Sequence, residues 1–383
     1  MFTMNHIYLD HAATTPMAQE VIDAMIPMYT EVFGNPSSVH AFGRKARQVI
    51  DQARIVFAHS INADEKEIVL TSGGTEADNL AVIGTALANK QKGNHIITTV
   101  QEHHAVLHAA EHLADNGFDV TYLPVYQDGK VSVKDLQNAL TDKTTVVSIM
   151  TVNNETGIIQ PIHEIGELLN DHQAYFHTDA VQAYSQLAID VKKDNIDLLT
   201  VSSHKINGPK GIGFLYINKN VQINTLQFGG EQERKRRPGT ENVVSVVGFQ
   251  HAVQLLMDKK QAHIKTYMSY KKHFIESLEQ AGIDFDINGE QSNAIPSTVN
   301  ISFPGTNVEA LLTNFDLSGI AASSGSACTA GSVEPSHVLS AMYGADSERT
   351  TNSIRFSFGL HNKQVDIIEA ATRIASIVRR LTN

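Results

Sequence analysis

Seven short apolar runs alternate with helix-like segments between residues 67 and 217, and this alternation limits the possible folds more than any other feature. The runs read EIVLT, HIITTV, VTYLPV, TVVSIM, AYFHT, DLLTV and GIGFLYI. They contain many β-branched residues and lack a clean polar–apolar alternation, which is typical of strands that are covered on both faces. The sequence therefore predicts an α/β fold with a mainly parallel sheet and helices on both sides.

The pattern changes after about residue 252. A long helical segment ends at Gly282, and two strand-like runs follow, STVNISF and SIRFSF. The last segment predicts a helix whose apolar face consists of Val365, Ile368, Ala371, Ile374 and Val378. These elements predict a second, smaller domain of the α+β class.

The charge and the cysteine count narrow the classes of function. The chain has 30 Lys and Arg residues against 41 Asp and Glu residues, a net charge of −11, which disfavours binding to nucleic acid or to an anionic membrane. A single cysteine, Cys328, excludes an internal disulfide and a multi-cysteine zinc site, and it suits a reducing compartment. The segment MFTMNHIYLDHAATTP shows no signal-peptide pattern, and no apolar run approaches the about 20 residues that span a bilayer, so we expect a cytoplasmic protein.

Two polar motifs follow predicted strands. In SSHKINGPKG, Lys205 comes just after the strand DLLTV, at the end where open α/β sheets place ligands. Such a lysine could form a Schiff base, and the alternative is an ordinary surface lysine. In TSGGTEADNLA, two glycines lead into a helix whose free N–H groups could bind phosphate, and the alternative is a tight turn with Thr75 as the helix cap.

Two further motifs supply charged groups. Asp179 follows the run AYFHT, where it could pair with the protonated nitrogen of a pyridine ring or could cap a helix that begins at Ala180. In SIRFSF, Arg355 and Ser357 share one face of the predicted strand. The planar guanidinium suits a substrate carboxylate, and the alternative is a structural salt bridge.

Clusters of histidine and arginine allow other interpretations. His104, His108 and His112 are spaced along one helical face, but they span about 12 Å, which is too far for one tetrahedral zinc ion. We interpret them as a solvated face, and a histidine-rich metal-binding or adaptor protein is the alternative from a different class. The basic run from Arg234 to Arg237 in EQERKRRPGTEN is interpreted as a solvated loop that could contact a phosphate or an anionic partner.

Taken together, these motifs meet the needs of one cofactor, pyridoxal 5′-phosphate. This cofactor needs a lysine for its aldehyde, a cradle for its phosphate, an acid for its pyridine nitrogen and an aromatic or imidazole face. An amino-acid substrate also needs an arginine for its α-carboxylate. The chain supplies each of these groups at a predicted strand end or loop.

The order of the motifs resembles the NifS/IscS-type cysteine desulfurases, which are fold-type I pyridoxal-phosphate enzymes of the class-V aminotransferase family. The resemblance extends from residue 8 to about residue 359 and rests on YLDHAATTP, FGNPSSVHAFGRKAR, TSGGTEADNLA, EHHAVLH, VNNETG, HTDAVQA, SSHKINGPKG, RPGTEN, SSGSACTAGSVEPSHVL and SIRFSFG. It implies a large domain at residues 15–252 with a mainly parallel seven-stranded sheet. It also implies a small domain that is formed by residues 1–14 and 253–383.

The resemblance implies a role for each residue of a cofactor site. Lys205 would carry the cofactor as a Schiff base, Asp179 would hold the pyridinium, and Gln182 would hold the ring hydroxyl. His103 would stack on the ring and shuttle protons. The cofactor phosphate would be bound by Gly74, Thr75, Ser202 and His204, and by Thr240 from the other subunit of a homodimer.

For the substrate, the resemblance implies that Asn154 and Arg355 hold L-cysteine and that Cys328 is the nucleophile. The Cys328 thiolate would take the sulfur as a persulfide, leave L-alanine, and pass the sulfur to an acceptor for iron–sulfur cluster assembly, tRNA thiolation or thiamine synthesis. The segment SSGSACTAGS around Cys328 contains small and polar residues, which suits a nucleophile that must reach both a cofactor and an acceptor. A selenocysteine lyase, or another pyridoxal-phosphate-dependent lyase or aminotransferase, is the alternative within the same chemistry.

Overall fold

The structure is a computed structural model that describes residues 6–325 and 335–383. Its strands, numbered along the chain, are β1 (Ile7–Tyr8), β2 (Ile68–Thr71), β3 (His95–Thr99), β4 (Asp119–Leu123), β5 (Thr144–Ser148), β6 (Tyr175–Asp179), β7 (Leu198–Ser202), β8 (Gly213–Ile217), β9 (Asp286–Ile287), β10 (Thr298–Ser302), β11 (Ile320–Ala321) and β12 (Ser353–Ser357). Its α-helices are α1 (Gln19–Met25), α2 (Met28–Glu31), α3 (Ala41–Ser60), α4 (Gly74–Asn79), α5 (Thr85–Ala88), α6 (His104–Asp115), α7 (Val133–Ala139), α8 (Ile162–Leu169), α9 (Val243–Ala281), α10 (Val308–Leu317), α11 (His337–Tyr343), α12 (Arg349–Asn352) and α13 (Gln364–Thr382). A π-helical turn, Leu80–Gly84, joins α4 to α5.

The seven strands predicted in the first part of the chain form one sheet, in the order β2-β8-β7-β6-β5-β3-β4. Neighbouring strands are parallel except at β8, which runs antiparallel to β2 and to β7. Every residue of β3, β5, β7 and β8 is buried, whereas the edge strand β4 is partly exposed. The prediction of a mainly parallel sheet with buried strands is confirmed.

Aromatic side chains fill the layer between this sheet and the helices that cover it. Phe57 of α3, Phe214 of β8 and Phe249 of α9 pack together, with ring centroids 4.6, 5.4 and 5.7 Å apart. All three side chains are fully buried. Each such ring pair stabilises the fold by about 0.5–1.5 kcal/mol beyond the gain from apolar burial. This core therefore holds the strands, and with them the strand ends, in place.

A second, smaller sheet lies in the C-terminal part of the chain. Its middle strand β10 pairs antiparallel with β9 and with β12. Its core includes Phe274 of α9 and Phe356 of β12, whose rings are 4.9 Å apart. The N-terminal strand β1 pairs parallel with β11, so the start of the described chain packs with this part. The predicted α+β character of this part is confirmed.

Helix α9 connects the two parts. Its 39 residues extend about 58 Å at 1.5 Å per residue, and it ends at Gly282, whose φ of 65° is the left-handed conformation that glycine adopts at helix ends. The first half of α9 contributes Phe249 to the larger core, and the second half contributes Phe274 to the smaller core. The domain boundary after residue 252 stays a prediction. Across both described ranges, no helix unites the length and the apolar character that a membrane-spanning segment needs.

Candidate active site

The candidate site lies at the carboxyl ends of β6 and β7, where an open parallel sheet places its ligands. Strand β6 ends at Asp179, β7 ends at Ser202, and a 3₁₀ turn after β7 carries His204 and Lys205. A cavity of about 270 Å³ opens beside these residues. The predicted residues that line it are Gly74, Thr75, His103, Asn154, Asp179, Gln182, Ser202, His204, Lys205 and Arg355.

The N-terminal motif holds the Lys205 amine at the cavity wall. Lys205 Nζ donates to the carbonyl oxygen of Ala12 at 2.5 Å and to that of Ala13 at 2.8 Å. Gln182 Nε2 donates to the same Ala12 oxygen at 3.0 Å. The backbone of YLDHAATTP therefore orients both the lysine and the glutamine of the predicted site.

Two buried carboxyl groups line the cavity. Asp179 Oδ1 accepts a hydrogen bond from the Val181 N–H at 2.8 Å, in a turn rather than at the start of a helix, so the alternative of a helix cap is wrong. Burial raises the pKa of Asp179 to about 6, against the opposing effects of this hydrogen bond and of Lys205. Burial also raises the pKa of Asp78 well above its usual range, and the charge of Asp179 adds to that shift. The charge of Asp179 therefore favours the neutral form of Asp78.

Two histidines face the cavity as neutral rings. Burial, with a further contribution from the Lys205 charge, lowers the pKa of His103 to about 4. His103 Nδ1 accepts from the Ala105 N–H at 3.1 Å, so the hydrogen of its neutral ring is on Nε2. Burial and the Lys205 charge likewise lower the pKa of His204 to about 4. His204 Nδ1 lies 3.1 Å from Thr14 Oγ1.

The beginning of helix α4 forms another wall of the cavity. The preceding Gly73 has a φ of 152°, and a Cβ at Gly74 would lie 3.2 Å from Val181 Cγ2, so two glycines keep the approach to the helix open. No side chain in the described part of the chain caps this helix. The alternative that Thr75 is the cap is therefore wrong, and the first N–H groups of the helix have no side-chain cap.

Arg355 lies in a buried ion pair at the edge of the cavity. Its Nη2 is 2.8 Å from Asp10 Oδ1, and its Nη1 donates to the Asn154 carbonyl oxygen at 2.9 Å. Asp10 Oδ2 accepts from Ser323 Oγ at 2.8 Å. The salt bridge that sequence analysis gave as the alternative is present. Among the described residues Arg355 Nε has no hydrogen-bond partner, so its N–H can donate to a ligand.

Two predicted site residues are not among those that line the cavity. Thr240 is exposed and lies outside the lining, so its role in a neighbouring subunit stays a prediction. Cys328 lies outside the described residues.

The histidines and the basic run have different outcomes. His108 and His112 are exposed, as a solvated face requires, but His104 is half-buried and its ring centroid lies 4.9 Å from that of His337. Among the described residues, no group of three or more His, Cys, Asp or Glu side chains could hold a metal ion. The interpretation of the basic run as a solvated loop holds for Arg234 and Lys235, which are exposed, and is wrong for Arg237. Arg237 Nε lies 2.7 Å from Glu76 Oε1, and Glu233, the residue just before the run, is buried in an ion pair with Arg54.

Comparison with known proteins places this geometry in a family. Residues 7–369 match the family Aminotransferase class-V. The chain is 56% identical over 379 residues to the putative cysteine desulfurase IscS 1 of Bacillus subtilis (strain 168). This match covers 99% of this chain and 100% of that protein. The chain belongs to the class-V aminotransferase family, in its NifS/IscS group. It is also 47% identical over 377 residues to the cysteine desulfurase IscS of Methanosarcina thermophila, and this match covers 98% of this chain and 93% of that protein.

Solved structures of this family share the fold. A NifS-like protein superposes with a TM-score of 0.91 at 32% identity, and the match covers 98% of this chain and all of that one. The structure of SspA in complex with cysteine has a TM-score of 0.82 at 36% identity, and the match covers 93% of this chain and 99% of that one. These matches confirm the predicted fold-type I architecture.

Class-V aminotransferases depend on pyridoxal phosphate, and the groups around the cavity fit this cofactor. A lysine amine, a buried acid and an uncapped helix start surround one space, at Lys205, Asp179 and Gly74. One buried polar atom in the same wall, Arg355 Nε, lacks a hydrogen-bond partner among the described residues. Unpaired buried polar atoms are rare in folded proteins, so this atom indicates that a polar ligand completes the site.

Four residues contribute to the site without having been predicted from the sequence. The Ala12 and Ala13 carbonyl groups bind the lysine, but a backbone acceptor has no signature in the sequence. Asp10 was hidden in the same motif because its partner Arg355 lies at the other end of the chain. Asp78 could have been found, because it stands four residues after Gly74 and so lies on the same side of α4.

Proposed function

We propose that the protein is a pyridoxal-phosphate-dependent cysteine desulfurase, which removes the sulfur of L-cysteine, releases L-alanine and holds the sulfur as a persulfide on Cys328. The observation that carries this proposal is the arrangement of Lys205, Asp179 and Arg355 around one cavity. When bound, the cofactor supplies an electron sink for the α-carbon of the substrate. The relatives that are named as cysteine desulfurases support this reaction over the others that the cofactor allows.

The residues that would hold the cofactor line the cavity, except Thr240. Lys205 would bind its aldehyde, Asp179 would face its pyridine nitrogen and Gln182 its ring hydroxyl. The ring face would be covered by His103. The phosphate would be bound by Gly74, Thr75, Ser202 and His204, and by Thr240 of a second subunit. The free N–H groups at the start of α4 support this placement of the phosphate.

Lys205 Nζ is the group that we propose to accept the α-proton of L-cysteine. Its hydrogen-bond partners, the carbonyl oxygens of Ala12 and Ala13, can only accept, so they orient the amine and cannot protonate it. A proton shuttle through His103 would use Nε2, because Nδ1 already accepts from the Ala105 N–H.

Arg355 would bind the α-carboxylate of the substrate through a charge-assisted hydrogen bond. The guanidinium is held before the substrate arrives, by Asp10 at Nη2 and by the Asn154 carbonyl at Nη1. This arrangement leaves Nε–H for the ligand. Asn154, which lines the cavity, is the second residue that we assign to the substrate.

Cys328 would act as the nucleophile, a role that rests on the sequence and on the named relatives. Its thiolate forms an S–S bond with the sulfur of L-cysteine while the C–S bond of the substrate breaks. The electron pair of the broken bond stays on carbon, which takes up a proton, and the carbon skeleton leaves as alanine. Because the chain has one cysteine, the sulfur must then move to another molecule. Scaffold, tRNA-thiolation and thiamine-synthesis proteins are the candidate acceptors.

We also propose that the chain forms a homodimer. Phe33 and Phe42 are exposed by 66% and 56%, with ring centroids 5.3 Å apart, and Val39 beside them in the sequence is 89% exposed. Phe228, at 90%, is exposed in the segment that leads to Thr240. Exposed apolar surface of this kind is typical of protein–protein interfaces. Sedimentation equilibrium is expected to give the mass of two chains, and the mass of one chain would contradict the dimer.

Purified protein loaded with pyridoxal phosphate tests the activity. With L-cysteine and a thiol reductant, we expect alanine and sulfide in equal amounts. Cys328→Ala should keep the absorbance of the bound cofactor and release neither product, because the sulfur has no nucleophile to receive it. Alanine formation by Cys328→Ala at the parental rate would contradict the persulfide mechanism. Selenocysteine as the only productive substrate would instead support the alternative, a selenocysteine lyase.

A further inference from the structure

Asn300 lies in the middle of strand β10 and contacts the turn that carries Asn154 of the candidate site. Its Nδ2 donates to the carbonyl oxygen of Glu155 at 3.2 Å. Asn300 is also the cross-strand partner of Arg355 in the antiparallel pair of β10 and β12, and Arg355 Nη1 donates to the carbonyl oxygen of Asn154 at 2.9 Å. Two paired residues of the small sheet therefore hold two successive carbonyl groups of one turn.

The turn itself is held together by the side chain of Asn153. Its Oδ1 accepts from the N–H of Glu155 and from the N–H of Thr156, each at 2.9 Å. All three side chains are fully buried. Because the turn is rigid, the hydrogen bond at the Glu155 carbonyl also fixes the neighbouring carbonyl of Asn154, which orients Arg355.

A chain of hydrogen bonds leads from Asn300 to the surface. Asn300 Oδ1 accepts from Asn288 Nδ2 at 2.7 Å, and Asn288 Oδ1 accepts from Arg349 Nη1 at 2.9 Å. Asn300 and Asn288 are 1% and 0% exposed. The Arg349 side chain is 27% exposed, and its Nη2 lies 2.9 Å from Asp286 Oδ2. Two buried amides therefore connect an arginine at the surface to the turn at the site.

The two ends of this chain determine the orientation of both amides. A guanidinium can only donate hydrogen bonds, and a backbone carbonyl oxygen can only accept them. Arg349 therefore requires the oxygen of Asn288, whose nitrogen then faces the oxygen of Asn300. The nitrogen of Asn300 is left for the Glu155 carbonyl. Rotation of one amide by 180° would bring two donors or two acceptors together, and unsatisfied buried polar groups are costly.

We propose that Asn300 is a positioning residue for the binding of the substrate carboxylate, because it fixes the turn whose Asn154 carbonyl orients Arg355. This inference rests on the proposed function, in which Arg355 binds the α-carboxylate. In the described part of the chain, Asn300 is not among the residues that line the cavity. Its effect should therefore be confined to ligands that carry a carboxylate, whereas a residue that serves the fold alone would affect ligands with and without this group equally.

The first experiment compares two ligands that differ at one group, L-alanine and its amide, L-alaninamide. Their dissociation constants are measured on the cofactor-loaded protein from the change in the absorbance of the bound cofactor. Asn300→Asp keeps the shape of the side chain but replaces the donor to Glu155 by an acceptor. We expect L-alanine to bind about fivefold more weakly, the effect of one hydrogen bond, and L-alaninamide to bind as in the parent. The KM for L-cysteine should rise by a similar factor, with little change in kcat.

Asn314→Asp is the matched control for this substitution. Asn314 Nδ2 also donates to a backbone carbonyl oxygen, that of Ala310 at 2.8 Å, and its Oδ1 also accepts from an arginine, Arg380 Nη2, at 2.6 Å. It lies in helix α10 and is not a member of the chain of hydrogen bonds that ends at the turn. The control variant should leave both dissociation constants unchanged.

The second experiment changes the chain at a residue that does not contact the turn. In Asn288→Asp both side-chain oxygens accept, so the Asn300 amide must rotate and turn its oxygen towards the Glu155 carbonyl. We expect weaker binding of L-alanine again, with L-alaninamide unchanged. If neither aspartate variant accumulates as folded protein, Arg349→Ala carries the test. This variant removes the donor that orients the two amides, and its loss of affinity should also be confined to L-alanine.

A double variant tests whether Asn300 acts through Arg355. In Arg355→Ala the carboxylate has lost its partner, so adding Asn300→Asp should cause no further loss of affinity for L-alanine. A loss confined to L-alanine in the single variants, and absent when Arg355 is removed, supports the positioning role. Equal losses for both ligands, parental constants for both, or effects that add in the double variant would overturn it. The titrations need no turnover, so a failure of the desulfurase proposal shows in alanine formation and leaves this result readable.

Discussion

Replacement of Arg355 separates its structural role from its proposed role in substrate binding. The Arg355 side chain is 3% exposed, and its Nη2 lies 2.8 Å from Asp10 Oδ1, in a side chain that is 16% exposed. Removal of one partner from such a pair leaves the other charge buried, which typically costs about 3–5 kcal/mol. Arg355→Ala is therefore expected to lower the free energy of unfolding by about this amount, as measured by urea denaturation.

A role in substrate binding adds a second, independent effect. The loss of a charge-assisted hydrogen bond to the α-carboxylate costs about 1.5–3 kcal/mol, which corresponds to a KM about 10- to 150-fold higher. Adding Asp10→Ala to Arg355→Ala removes the unpaired carboxylate and should recover most of the stability. The KM for L-cysteine, measured by alanine formation, should stay high in this double variant.

Two results would refute this reasoning. If the double variant recovers the parental KM together with its stability, Arg355 serves the fold alone. An unchanged KM in Arg355→Ala would lead to the same conclusion. Arg373→Ala is the matched control, because Arg373 forms a partly exposed pair with Glu369 within helix α13 and should leave the KM unchanged.

Three further predictions concern the cofactor, the pH dependence and the core. Lys205→Ala should abolish the visible absorbance of the purified protein, and persistence of that band would contradict the assignment of Lys205. Burial lowers the pKa of His11 to about 4 from 6.5, so the unfolded state binds more protons between these pH values and stability falls as the pH falls through this window. At pH 5 this proton uptake should lower the free energy of unfolding of the parent by about 2 kcal/mol, and His11→Leu should lack this decrease in denaturation curves. Parallel pH profiles of the free energy of unfolding in variant and parent would contradict this. Glu233→Gln should cost about 3–5 kcal/mol because Arg54 loses its buried charge partner. Glu231→Gln is the control, because Glu231 forms an exposed pair with Lys235, and it should leave the denaturation midpoint nearly unchanged. Equal midpoints for Glu233→Gln and Glu231→Gln would contradict the role of the buried pair.

The strands and the strand-end residues could be predicted because both depend on local sequence. Buried parallel strands are short apolar runs, and the seven runs became the seven strands of the large sheet. Once the strands are placed, parallel pairing brings Asp179 and Lys205 to the same edge of the sheet, so the core of the candidate site follows from their positions after β6 and β7.

The buried face of the last helix was predicted with an error. Val365 and Ile368 were placed on the apolar face of this helix but are 65% and 40% exposed, whereas Ile367 and Ala370 are fully buried. Helix α13 has apolar residues on more than one side. A period of 3.6 residues is therefore compatible with more than one buried face. Packing against α9 and the small sheet selects the stripe, and that contact is not visible in the local sequence.

The ion pairs that hold the site could not be predicted from the sequence. Asp10 and Arg355 are 345 residues apart, and Arg54 and Glu233 are 179 residues apart. No local spacing relates the members of such pairs. The burial of Glu233, just before the basic run, was not predicted for this reason.

The most direct test of the proposed function is the mass of the intact, cofactor-loaded protein after exposure to L-cysteine without reductant. Since the chain has one cysteine, a persulfide can form at a single position. We expect the mass to rise by one sulfur atom, the added sulfur to map to Cys328 in peptide spectra, and a thiol reductant to remove it. Formation of alanine from L-cysteine with no added sulfur on Cys328 would contradict the account.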